Sequence, residues 1–529
     1  MNQALPPSAF FLPPRTGENK GVDFLGLRQT NLDMMAELIP STNNVTEHIR
    51  PFSLLCWIYW KFHQLCAEKN ILEPNSNDLK SFRERIEILF TWGARVENYP
   101  GIPGKQAEPP LPDGEQCPLT FSAWGRVQSS TSLIAALWYG PAAKALTGLG
   151  FLLPGKGGFF RTVEAGNALA EALDELLRID QKLYSNLLGT LDTVLASQEE
   201  AVALWALWSP SIKSDAEEKA FRQALFSESA IGDYATLIGK RSNTLALAHL
   251  QLAKSNVSLS AEAIRRGMFL SQASDGTAYE VPPDLYDAHQ KWIILQMRQL
   301  QRHALETLLS WCEARIIAGR RDTDALSDEL FQAWRDLDQP FAAAGSFADA
   351  IQLLDKSFGS LDDFIDQCRN GELPTPFSMM EAIAGTREQS DHETAGQCLY
   401  GVLLCAAFAR CFPGETQELR QGGSSRISLF HLRKRLLGLG DMPLREALRF
   451  VIENMIISQH LATAVNRFDG SNQRLRLTIE ETGLVPLVGS PWEPNVTEDR
   501  LPTLLSLAAG CGLLTKSADN LYGTSNMKG

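Results

Sequence analysis

Apolar positions recur at helical spacing along most of this chain, in blocks separated by polar, proline-bearing or glycine-bearing breaks. From Gly21 onward the pattern predicts a short helix over about 30–38, a break at Pro40 to Asn44, and a longer helix starting near Thr46 or Pro51. Proline in a first helical turn costs little, because the N–H it lacks would have no partner there. The second helix carries Phe52, Leu54, Leu55, Trp57, Ile58, Tyr59, Trp60 and Phe62, so it is apolar on nearly every side. Such a helix is expected between several neighbours, as a core element. The competing reading is an aromatic platform on which a base stacks, with Arg50, Asn43 and Asn44 as its polar partners.

Residues 180–420 are dominated by the same helical periodicity. The run from Asp284 to a stop at Gly319 has Asp284 and Asp287 at its start and Arg315 near its end, the polarity a helix dipole favours. At ~35 residues it is long for a globular helix, which predicts either a break or the spine of a bundle. The stretches "SDGTAYEVPPD" before it and "GRRDTDALSDE" after it read as loops.

Two segments depart from the all-helical pattern. In 131–177 a helix from Tyr139 to Leu149 stops at Gly150, "FLL" reads as a strand, "PGKGG" as a tight turn, "FFRTV" as the returning strand, and a new helix opens after Glu164. Helix, hairpin, helix is the order of a winged helix-turn-helix. Near the end of the chain, two helices lead into "QRLRLTIEETGLVPL", whose Leu475, Leu477 and Ile479 alternate as in a strand, and then into a helix, a polar turn and a short strand. The expected fold is mainly α, a multi-domain helical protein with winged-helix-like α+β modules. Its predicted parts are an extended arm (1–20), an N-terminal helical domain with a winged-helix-like segment (21–180), a helical middle domain (181–420) and a C-terminal winged-helix-like α+β domain (421–529).

Composition supports this division. A chain of 529 residues exceeds what one core sustains, and 44% apolar with 21% charged residues is ordinary globular usage. Nine scattered cysteines with no C-x-x-C pair argue against a disulfide framework or a zinc knuckle and imply a reducing cytoplasm. The N-terminal stretch has four prolines and no basic segment before an apolar run, so it does not read as a signal peptide. The longest apolar stretch, Leu399 to Ala409, is about half of what a bilayer crossing needs, and no membrane passage is expected.

Chemistry-bearing motifs are sparse. "LPGKGGF" is too short for a phosphate loop and leads into a strand. Neither G-x-S-x-G nor H-E-x-x-H occurs. "HLRKRLLGLGD" has a His, a Lys and an Asp in order, but the spacing of the phospholipase-D-like phosphodiesterases requires H-x-K. Asp391, His392 and Glu393 in "SDHETAG" are adjacent and diverge, which suits a loop or helix N-cap better than a metal site. No catalytic, cofactor-binding or metal-ligating residue is assigned.

A net charge of −13 makes attraction of the whole surface to nucleic acid unfavourable, so any such contact needs a local basic face. Arg420, Arg426, Arg433, Lys434, Arg435, Arg445 and Arg449 fall within 30 residues, with Arg474 and Arg476 following. These are the candidate nucleic-acid contacts.

In residues 21–178, "FLGLRQTNL", "IPSTNNVTEHIRPFSLLCWIYWKF", "SFRERIEILFTWGAR", "YGPAAKALTGLGFL" and "RTVEAGNALAEAL" follow one another in an order that resembles the N-terminal region of prokaryotic proteins of anti-phage defence islands. Asn43, Asn44, Arg50, Ser53, Trp57, Arg85, Gly150 and Gly166 carry the resemblance. It implies an accessory subunit of a multi-gene system similar to Druantia, with no catalytic residues to carry over. The leading expectation is therefore a non-enzymatic component of an antiviral assembly that binds other subunits and DNA. The alternatives are a nuclease or phosphodiesterase effector with an unrecognised site, and a winged-helix DNA-binding regulator.

Overall fold

The computed structural model describes residues 23–212, 214–387, 389–412, 424–440, 442–468 and 474–525; the expected arm at 1–20 lies outside them. The chain is mainly helical, with about 60% of it in helices and 6% in small sheets. It divides into two compact units, each built from separate stretches of sequence. The first comprises Met1–Met34 and Gln290–Thr497, and the second Met35–His289 and Glu498–Gly529. The expected boundaries at 180 and 420 are not among the points where the chain passes from one unit to the other.

In the second unit the aromatic helix runs Arg50–Glu68, with Pro51 in its first turn. Phe52, Trp57, Tyr59 and Phe62 are fully buried, so this is a core helix, and Trp60 alone among its large aromatics is partly exposed. It packs against the Ser76–Val96 and Glu164–Leu177 helices. Arg50 at its start is spent inside the core, where Nε donates to Glu217 Oε1 at 2.9 Å and Nη2 to Glu217 Oε2 at 2.7 Å. Gly93 lets the Ser76–Val96 helix meet the Gln198–Trp208 helix closely, since a Cβ there would lie 2.5 Å from Trp205 Cβ.

The expected hairpin is present, with Leu152–Pro154 paired antiparallel to Phe160–Thr162, and the next helix begins at Glu164. The preceding helix is shorter than its periodicity predicts, ending at Ala143. Beyond it the chain folds back, with Leu149 N–H donating to Ala142 O at 2.7 Å and Ala145 N–H to Leu152 O at 2.8 Å. The close of the chain, Leu514–Lys516 and Leu521–Thr524, forms a three-stranded sheet with Leu259–Ser260 in this unit.

The first unit contains most of the long helix Tyr286–Ile317, which runs its 32 residues unbroken, as a spine. The loop predicted after it is shorter than expected, because Asp322 caps a helix that opens at Thr323. Ser390 caps the Asp391–Phe408 helix by accepting from Glu393 N–H, the N-cap reading of "SDHETAG". The span Asp391–Cys411 is long and apolar enough to cross a membrane, but most of it is buried inside the protein, as a core helix would be. The helices Leu429–Gly438, Leu444–Phe450 and Ser458–Asn466, the last two joined by a wide-turn segment Val451–Ile457, precede the hairpin of Leu477–Glu480 with Gly483–Pro486.

Candidate functional site

The spine helix is polar where a core helix is expected to be apolar. Gln296, Arg298, Gln299, Gln301, Arg302, His303 and Glu306 are each at most 4% exposed. Buried polar groups persist only when they are hydrogen-bonded or paired, and several here are. Arg298 Nη1 donates to Gln301 Oε1 and to Ile427 O, both at 2.7 Å, and Gln301 Nε2 donates to the same carbonyl at 2.6 Å. Ile427 is held at φ +43°, a conformation that is costly for a β-branched residue, with its carbonyl fixed by these two donors. Asn31 Nδ2 donates to Gln299 Oε1 at 2.9 Å. Arg302 Nε lies 2.9 Å from Glu306 Oε2 as an ion pair.

Other buried atoms of this helix have no hydrogen-bond partner among the described residues. They include Arg298 Nε and Nη2, both ring nitrogens of His303, and Thr307 Oγ1. Burial, with help from Arg387 and Arg302, lowers the His303 pKa to about 4. Burial raises Glu306 to about 7 against the opposing pull of Arg302.

Around this helix the first unit gathers guanidinium groups from segments far apart in sequence. Asp23 is a buried carboxylate among them. It accepts from the backbone N–H of Arg28 and Gln29 at 3.1 and 3.2 Å, at the start of the Leu27–Leu38 helix, and pairs with Arg467 Nη2 at 2.6 Å. Burial lowers the Arg467 pKa; Asp23 opposes this, while Arg474, Arg426 and Arg28 push the same way. Arg298, lowered to about 10 by burial, likewise feels Arg426 and Asp23. Glu306 feels Asp23 and Arg28 as well as Arg302. Arg28, Arg298, Arg302, Arg426, Arg467 and Arg474 thus form one cationic cluster, set against Asp23, Glu306 and, through a 3.3 Å pair with Arg426, Asp33. The Arg28 guanidinium has no ion-pair partner among the described residues. Arg298 and Arg302 are buried, whereas Arg28, Arg426 and Arg474 are partly exposed, and planar guanidinium donors at a surface are suited to bind phosphate oxygens.

The residues singled out from the sequence are dispersed. Arg426 and Arg474 belong to the cluster. Arg476 is drawn to Glu313, with contacts of 2.6 and 3.0 Å, and stacks over Phe24. Arg433 makes a two-pronged pair with Asp355 at 3.0 and 2.6 Å and also donates to Ala406 O. Arg445 pairs with Asp328, and Arg449 with Asp324 and Glu453. Lys434 is exposed, Arg435 is half-buried with its pKa lowered by burial, and Arg420 lies outside the described residues. The sequence reading missed Asp23, Arg28, Arg298, Arg302 and Arg467. Its available signal was the polar run "QMRQLQRH" inside an otherwise apolar helix.

Among the described residues no group of three or more metal-ligating side chains converges. The cysteines form no disulfide, and burial pushes thiols such as Cys312 and Cys368 up to about 12, which suppresses the nucleophilic thiolate. No known family model, curated protein or solved structure matches this chain.

Proposed function

We propose that this chain is a non-enzymatic component of a multi-protein antiviral defence assembly, which binds nucleic acid through the arginine cluster of its first unit and other subunits through the rest of its surface. The observation that carries the nucleic-acid part is the gathering of guanidinium groups around Asp23 in a chain of net charge −13. An acidic chain has no general attraction for phosphates, so contact must be made where cations are concentrated. The defence role rests on the resemblance of residues 21–178. The cytoplasm as its place of action rests on nine cysteines without a disulfide. In this reading the hairpins of 152–162 and 477–486 serve as wings of winged-helix-like modules, with Lys156 and Arg161 exposed on the first.

The test is fluorescence anisotropy of labelled duplex and single-stranded DNA over a salt series. Affinity is expected to fall steeply with salt, and Arg426→Ala or Arg474→Ala to reduce the log–log slope by about 1 each. Binding that is independent of salt, or indifferent to both substitutions, removes the nucleic-acid assignment.

A further inference from the structure

The second unit contains an open cavity of about 800 Å3. Much of its wall is made of short side chains, among them Ala145, Gly148, Ala165, Ala168, Ala220 and Ala224, with Leu149, Leu237 and Ile238 adding larger apolar surface. Space of this size falls in the range of pockets that hold small organic ligands.

Arg241 is the cation in that wall. It is 3% exposed. Its Nε donates to Leu225 O at 3.2 Å, Nη2 to Ala224 O at 2.8 Å and Nη1 to Ser41 Oγ at 3.2 Å. All three acceptors are neutral, and no carboxylate pairs with Arg241 among the described residues. The two carbonyls close the Asp215–Leu225 helix, whose negative end offsets part of the charge. Each of its three nitrogens thus has one protein acceptor, and two of the five N–H groups of a guanidinium are not used in these bonds, on a buried cation that lines a cavity. A buried charge without a counter-ion is costly, and an anion entering the cavity would relieve that cost.

Two helices also begin at this cavity. Thr236 caps the Leu237–Ser255 helix by accepting from Gly239 N–H at 3.1 Å, which leaves the N–H groups of Leu237 and Ile238 without intrahelical partners. The Glu164–Leu177 helix starts with Val163, which supplies no side-chain cap, and its Glu164 and Ala165 line the same space. The Glu164 carboxylate is exposed at the rim, and the Asp233 carboxylate already accepts from Ala235 and Thr236 N–H just before the Leu237–Ser255 helix; both disfavour an anion beside them, so the acceptor belongs at the Arg241 end.

We infer that this cavity binds a small organic phosphate, with the phosphate monoester at Arg241 and the head of the Leu237–Ser255 helix, and an apolar or aromatic body against the alanine and leucine wall. A phosphate is favoured over a carboxylate because its three terminal oxygens match the number of free donors better than two do. The apolar wall has no role for a bare ion. This site is in the second unit and is independent of the arginine cluster of the first.

The test is calorimetric titration and thermal shift of the full chain with phenyl phosphate and adenosine monophosphate, compared with phenol, adenosine and inorganic phosphate. The two esters are expected to bind and raise Tm, each at least about tenfold tighter than its parent or the bare ion, a difference of about 1.4 kcal/mol. Arg241→Lys should weaken them by a similar factor, because an ammonium cannot reproduce the guanidinium fork. If Arg241→Lys disturbs folding, Ala168→Phe fills the cavity from an exposed position and should abolish ester binding with Tm of the free protein unchanged. Failure of both esters to bind, equal binding of the parents, or full binding by the Ala168→Phe protein would overturn the assignment.

Discussion

Trp57 Nε1 donates to Asp174 Oδ1 across 2.9 Å inside the second unit, and the same carboxylate accepts from Tyr184 OH at 2.6 Å and from Arg178 Nε at 2.5 Å. The aromatic helix is therefore tied to the Glu164–Leu177 helix by a polar bond as well as by packing. Trp57→Ala removes the ring and its donor together and should cost about 3–5 kcal/mol. Trp57→Phe keeps most of the packing and leaves Asp174 its other two donors, so the loss should be nearer about 1 kcal/mol. Chemical denaturation of both proteins checks the order; an unchanged midpoint for Trp57→Ala would return this helix to the base-stacking reading.

Gly93→Ala should destabilise the second unit although alanine is the better helix former by about 1 kcal/mol. The added Cβ would lie 2.5 Å from Trp205 Cβ and 3.1 Å from Ala201 O, and neither atom is at the free end of a flexible chain. Overpacking of this kind typically costs about 1–3 kcal/mol, so a net loss is expected. A thermal melt with Tm raised above that of the parent protein would contradict it.

The parts of the fold that were legible in the sequence are those fixed by local periodicity. The all-round apolar run of 52–62 reads directly as a core helix, whereas of the strand read from the alternation of 475–479 only the part from Leu477 is a strand, and Ile479 in it is exposed. The predicted helix over Tyr139–Leu149 fails for a tertiary reason: after Ala143 the backbone bonds to the strand that follows it, and Gly148 approaches Ala142 O where a Cβ would lie at 2.3 Å. The arginine cluster was only partly legible. Arg426 and Arg474 stand out as basic residues in an acidic chain, but Asp23 and Arg298 are joined to them only by the long-range course of the chain, which one sequence does not display.

The basic residues of 431–449 divide by burial, and their substitutions should divide with them. Arg433 is largely covered, with two bonds to Asp355 and one to Ala406 O. Arg433→Ala leaves a covered carboxylate with fewer donors and should lower stability by about 1–3 kcal/mol. Arg445 and Asp328 form an exposed pair, the kind that contributes little, so Arg445→Ala should leave both the melting curve and DNA affinity unchanged. Loss of DNA binding in Arg445→Ala with Arg426→Ala unaffected would move the nucleic-acid contact to this helix face.

The pH dependence of stability should carry opposite contributions from two neighbours on the spine helix. Glu306 has a folded pKa near 7, above its ordinary 4.5, because burial penalises its charge. The stability linked to its proton is fully present below pH 4.5 and is lost as pH rises through about 7. His303 has a folded pKa near 4, below its ordinary 6.5, again through burial. Its contribution is present above pH 6.5 and is lost as pH falls through about 4. Glu306→Gln should therefore flatten the decline of stability between about pH 4.5 and 7, and His303→Gln should flatten the acid-side loss between about pH 6.5 and 4. Denaturant titrations of the parent and both variants over that range decide it: parallel pH curves for all three proteins would mean that neither group has the buried environment described.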